Sequence, residues 1–285
     1  MRRRFEALAV GGALFTLALL PLGIRSQEAL DVADGNGAHP YVPRFYPFEG
    51  GERVHYKASW NGIPVASAEI LTRPLWLDGE KFYQVRIQAK TWKVLDLIWK
   101  MRDSVEAVFD ARTFLPVRYN FSQKENKRRA ETEASFDRQA RKWTVRRRRG
   151  EDIKEFEFVS PDTFDPVSAG YLLRSVNFKI GDQLALNLFG GHNRYRVILR
   201  VAARETIDMD SGAVDAFRIE ARLIKQGRLA AQIAVDGADD RRSADRQGTV
   251  WIAADDSRAL LRASSQVWVG SVYLELLRSE VQPKS

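Results

Sequence analysis

The chain has 285 residues, 45% of them hydrophobic and 29% charged, which gives length for a substantial core and argues against global disorder. It contains no cysteine, so thiolate chemistry, disulfides and a cysteine lipid-attachment site are excluded. The net charge of +8 is local: residues 118–154 hold thirteen Lys and Arg against six Asp and Glu, a single patch and not the pervasive basicity of a nucleic-acid binder.

Arg2, Arg3 and Arg4 precede an apolar run from Ala7 to Ile24, the order of a secretory signal. Ile24-Arg25-Ser26 is not an Ala-x-Ala cleavage pattern, and the run is about the 18 residues of a membrane span, so residues 1–26 read as a signal peptide or a retained N-terminal anchor helix. Residues 27–44 are polar and read as a flexible leader, followed by a single β-rich domain over 45–280.

From Glu52 the period is two. Val54, Tyr56, Ala58 and Trp60 alternate with Arg53, His55, Lys57 and Ser59, predicting a half-buried strand. Asn61-Gly62 supplies a tight hairpin turn because both residues tolerate positive φ, and Ile63–Leu71 returns. Phe82–Thr91 alternates likewise, and further strands are expected near 103–110, 114–123, 130–137, 141–148, 153–159, 182–189, 194–204, 214–225, 249–254, 259–269 and 271–278. The spacing leaves no room for crossover helices, so the sheets should be antiparallel. Asp236–Gln247 reads as a polar loop, and Trp60, Trp251 and Trp268 are assigned to the core.

Two segments depart from strand periodicity. Trp92–Met101 is apolar at mixed spacing; coiled into a short helix it sets Trp92, Leu95 and Trp99 on one side, as core packing or as the lip of a ligand or membrane contact. Asp165-Pro166 opens a helix over 165–177, with Asp165 as cap and Pro166 where no N–H is needed. Val167, Tyr171 and Leu172 give that helix an apolar stripe. Arg174 falls on the same rim, to pair with a buried carboxylate or to meet a ligand's anionic group.

The basic patch centres on Arg146, Arg147, Arg148 and Arg149. It reads as a solvated hairpin end paired with Glu155 and Glu157, or as a contact for an anionic envelope component. No Gly-x-Ser-x-Gly is present, and the only histidines are His39, His55 and His192, in the leader, on a polar strand face and in a turn. No metal-ligand spacing occurs, and Asp255-Asp256 reads as a turn. No catalytic residue, metal or cofactor is expected.

Three blocks resemble the bacterial family known as Domain of Unknown Function 3108. They are Phe48-Glu49-Gly50-Gly51-Glu52 with Tyr56, Trp60-Asn61-Gly62-Ile63 and Ala66-Ser67-Ala68; then Met101-Arg102-Asp103-Ser104-Val105-Glu106, Leu115-Pro116 and Asp165–Arg174; and the hairpin from Trp251-Ile252 to Gly270-Ser271. Arg258-Ala259-Leu260-Leu261 departs from it where a proline is expected near the return strand. The resemblance implies an exported, β-rich protein of Gram-negative bacteria with no catalytic residues to carry over.

The expected fold is mainly β, with antiparallel curved sheets forming a barrel-like or sandwich domain and one short helix. The expected role is that of a periplasmic or envelope-associated module, non-catalytic, that holds a lipid or other apolar ligand or docks a protein partner, with no nucleic acid involved. It would be free in the periplasm, or peripheral or N-terminally anchored at the inner membrane. The alternative is a hydrolase acting on envelope polymers through carboxylates assembled by the fold.

Overall fold

The computed structural model describes residues 43–160, 162–226, 246–266 and 270–282. The signal or anchor segment, nearly all of the leader, nearly all of the Asp236–Gln247 loop and Trp268 lie outside the described residues.

Fifteen strands form one sheet: β1 Glu52–Trp60, β2 Ile63–Leu77, β3 Glu80–Thr91, β4 Arg102–Asp110, β5 Pro116–Glu125, β6 Arg128–Asp137, β7 Lys142–Arg149, β8 Asp152–Val159, β9 Thr163–Phe164, β10 Gln183–Phe189, β11 Arg194–Met209, β12 Gly212–Lys225, β13 Arg246–Ala253, β14 Leu260–Gln266 and β15 Ser271–Val281. Spatial order runs β8 back to β1, then β15 back to β9, so the first and last long strands meet at the middle. All pairings are antiparallel except the short β9–β10 pair, which sequence periodicity did not indicate. Pro74 lies in β2 beyond Thr72, the last β2 residue paired with β1, so its missing N–H faces an unpaired side of the strand.

The edge strands β8 and β9 are consecutive in sequence yet not hydrogen-bonded to each other. Side chains bridge the gap between the sheet's two ends. The ring of Phe189 (β10) lies 5.3 Å from that of Trp143 (β7) and 5.2 Å from that of Phe158 (β8). The sheet therefore curls into a barrel-like body whose seam is packed rather than laddered. One large core lines it, with alternate residues of nearly every strand pointing inward, and a smaller cluster of Ile207, Ala216, Ala253 and Leu261 lies apart from it.

Helix α1, Pro166–Ser175, lies inside the curl and is two residues shorter at its C-terminal end than the expected 165–177. Asp165 Oδ1 accepts from the N–H groups of Val167 and Ser168, at 2.7 and 3.1 Å, and Ser168 answers with its own side chain to complete a capping box. Tyr171 packs against Phe48 and Phe109, with ring centroids 4.7 and 5.4 Å away.

Trp60 corrects a sequence expectation. It is exposed, not core, because a bulge between Ala58 and Ser59 shifts the β1–β2 register by one residue and reverses the facing of everything after it. Trp251 is half-buried at a smaller core cluster, and its indole donates to Glu205 at 2.8 Å. Trp92–Met101 forms a single 3-10 turn at Lys93–Leu95 instead of a longer helix.

Candidate ligand cavity

A cavity of about 170 Å³ lies between α1 and the concave face of the sheet. Val54 and Tyr56 from β1, Leu186 and Leu188 from β10, Val197 and Leu199 from β11, and Val250 and Ile252 from β13 contribute to its wall. All are inward positions of alternating strands, so the period that marks the strands also makes the wall apolar. Along the helix Pro166, Val167, Gly170 and Leu173 face it, and Gly170 is exposed, with no atom within 4 Å of where a Cβ would stand. Two larger depressions, about 370 and 550 Å³, lie among charged residues such as Arg86, Glu106 and Glu133 and Arg200, Glu220 and Arg222. Their linings mix charged and apolar side chains about equally, without the predominantly apolar wall typical of a small-molecule site.

One end of the cavity is charged. Arg174 Nη1 and Nη2 donate to Glu52 Oε1 and Oε2 at 2.5 and 2.9 Å, both residues being buried. Tyr171 donates to Glu52 Oε1 at 2.9 Å and is itself hydrogen-bonded to Thr72. Arg174 Nε donates to the Arg258 carbonyl at 2.9 Å, and its guanidinium lies 5.2 Å from the centre of the Phe48 ring. Burial pushes the Glu52 carboxyl up, but the charge of Arg174 and the hydrogen bonds from Arg174 and Tyr171 outweigh it and hold the group below its ordinary value. Burial likewise opposes the charge of Arg174, and Glu52 more than offsets it. Gly51 sets this geometry: its φ is +106°, and a Cβ there would lie 2.8 Å from the Thr72 carbonyl oxygen.

The other residues singled out from sequence lie elsewhere. Trp92 is exposed, Leu95 and Trp99 are half-buried, and none of the three lines the cavity. Arg146 pairs with Glu155 at 3.1 Å, while Arg147 turns inward to donate to Thr132 at 2.9 Å. Arg148 and Arg149 are exposed at the hairpin end.

Sequence reasoning missed Glu52, Tyr56 and Gly170 as cavity residues, and it missed Asp103 as a buried carboxyl outside the cavity. Asp103 is buried on the inward face of β4, where burial raises its carboxyl to about 7; the N–H of Lys124 works against that shift and Glu125 adds to it. Its Oδ2 has no hydrogen-bond partner, and it does not line the cavity. Among the described residues no cluster of three or more His, Asp and Glu is placed to hold a metal.

A strand order that joins the first and last strands, a packed seam and one internal helix define the fold. A family model described as a protein of unknown function, DUF3108, matches residues 55–277. The chain belongs to the DUF3108 family. No curated protein matches this DUF3108 member. Among solved structures it is similar to a β-barrel-like protein of unknown-function domain 1849 from Brucella abortus, at 10% identity and a TM-score of 0.51, covering 82% of this chain and 98% of that one. A putative exported protein from Bacteroides fragilis (8% identity, TM-score 0.35, 84% of this chain and 99% of that one) and a putative lipoprotein from Parabacteroides distasonis (10%, 0.33, 85% and 100%) also match. The Brucella likeness shows a shared barrel-like fold; the other two, at their TM-scores, add nothing to that assignment.

Proposed function

We propose that this DUF3108 protein is an exported, envelope-associated binding module that holds an apolar ligand between α1 and the concave sheet. The observation that carries this reading is the chemistry of the cavity: aliphatic side chains from both halves of the sheet, with one ion pair at the end. Its volume is that of cavities, about 150 Å³, that accept a benzene-sized molecule. It therefore takes a short hydrocarbon segment, and a longer acyl chain leaves past exposed Gly170. Glu52, the carboxylate on that lining, is fully engaged with Arg174 and Tyr171, so it is not available for acid–base work on a bound polymer. Export rests on the basic-then-apolar N-terminus.

Mass spectrometry of organic extracts from protein purified from the periplasm tests the proposal. A stoichiometric lipid or fatty acid, displaceable by a fluorescent fatty acid, is the expected result. Protein that carries no apolar molecule and binds no fluorescent fatty acid overturns it.

A further inference from the structure

The turn between β3 and β4 exposes apolar side chains to a degree unmatched by other loops among the described residues. Leu97 is 94% exposed, Ile98 82% and Val94 73%, with Trp92 beside them. Such exposure in a row is costly in water and marks an interaction site. The turn is not loose. Thr91 Oγ1 donates to Asp96 at 2.7 Å, Arg102 grips both Asp96 oxygens at 3.0 and 2.6 Å, and buried Met101 ties the base to the core. A braced backbone thus presents the apolar tip.

The same rim gathers more of both characters. The Trp92 N–H donates to the Val65 carbonyl, placing the turn beside the β1–β2 hairpin, where Trp60 and Ile63 are exposed. On the other side the Asn126 N–H donates to the Lys100 carbonyl at 2.8 Å, bringing the β5–β6 turn alongside with exposed Lys127, Arg128 and Arg129. Lys93, Lys127, Arg128 and Arg129 are in no ion pair among the described residues, and Lys100 stands near Asp96, whose two oxygens Arg102 already holds. Apolar tips ringed by an excess of exposed cations match the layering of an anionic bilayer, with phosphates outside and acyl chains beneath. A protein partner fits less well, since a stable interface buries about 800 Å² per side over a continuous surface.

We infer that this rim docks on an anionic phospholipid surface, with Val94, Leu97 and Ile98 entering the acyl region and the surrounding Lys and Arg meeting the phosphates. The surface is separate from the cavity, so either assignment can fail without the other.

The absence of cysteine allows a site-specific probe on the full chain. A polarity-sensitive fluorophore is attached at Leu97→Cys or, as a control at the opposite end of the sheet, at Asp78→Cys. Vesicles of phosphatidylcholine mixed with phosphatidylglycerol should brighten the label at 97 and leave the one at 78 unchanged. The response should weaken with pure phosphatidylcholine and with added salt. Adding Ile98→Ser should lower partitioning about tenfold, and Lys93→Glu with Lys100→Glu should do so on the order of tenfold or more. Circular dichroism checks that each variant is folded. A silent label at 97 on co-sedimenting protein would mean that the N-terminal apolar segment alone holds the membrane, and overturns the inference. Equal responses at 97 and 78 do the same. So does brightening without vesicles that grows with protein concentration, which would assign the rim to a second copy of the chain.

Discussion

Arg174, on the helix inside the curl, is held in a bidentate ion pair by Glu52, the first residue of the central strand β1, across 122 positions of sequence. The pair is buried, and Arg174 Nε is satisfied by the Arg258 carbonyl, so removing one partner strands a charge in the core. Arg174→Leu or Glu52→Leu is expected to cost about 3–5 kcal/mol, whereas Glu52→Leu with Arg174→Met should recover much of it, because two apolar groups leave nothing unpaired. Denaturant melts of both single variants and the double variant check this. Additive losses would contradict it.

Gly170 offers a change in which stability and binding move in opposite directions. It sits in the interior of α1 at the cavity, and a Cβ there meets nothing within 4 Å. Gly170→Leu should stabilise the helix by about 0.5–1 kcal/mol while occupying the path by which an acyl chain would leave. A raised melting temperature together with loss of fluorescent fatty-acid binding is the expected pair of results.

Stability should peak in weak acid. Asp103, at about 7, and Asp165, at about 6, bind protons more tightly folded than unfolded, so what they contribute is fully present below about 3.8 and is lost as pH rises through those values. Glu52 is shifted the other way: its contribution is present above its ordinary value of 4.5 and disappears as pH falls below it. Melting temperature measured against pH should therefore decline on both sides. Asp103→Asn should flatten the decline toward neutrality and raise stability at pH 8 by up to a few kcal/mol.

Much of the fold is legible in local sequence because period two and turn residues act at short range. Asn61-Gly62 marks the first hairpin, Asp165-Pro166 marks the helix, and the strand positions come from alternation. Trp60 escapes this reading because a one-residue bulge leaves no trace in an alternating pattern, yet it inverts the facing of the strand's remaining residues. The cavity is less legible. Arg174 on an apolar helix requires a carboxylate, yet nothing local selects Glu52, which reads only as the start of a strand. That choice is made across 122 positions by the tertiary fold, which no local signal encodes.

The seam should be a point of mechanical weakness, held by a cluster of rings with Trp143 at its centre. Trp143 is fully buried and contacts Phe136, Phe158 and Phe189, linking β6, β7 and β8 to β10 where no backbone ladder joins the two ends of the sheet. Trp143→Ala should cost about 3–5 kcal/mol. Because the lost contacts span the seam, amide exchange should accelerate in β8 and β10 before it does in β1 and β2. The Trp143 indole N–H has no acceptor, so Trp143→Phe, which keeps an aromatic ring and removes the orphaned donor, should lose far less. Trp60→Ala, outside the core, should cost clearly less than Trp143→Ala. Exchange that accelerates uniformly in Trp143→Ala would mean that the seam is not a separable unit and that the curled sheet opens as a whole.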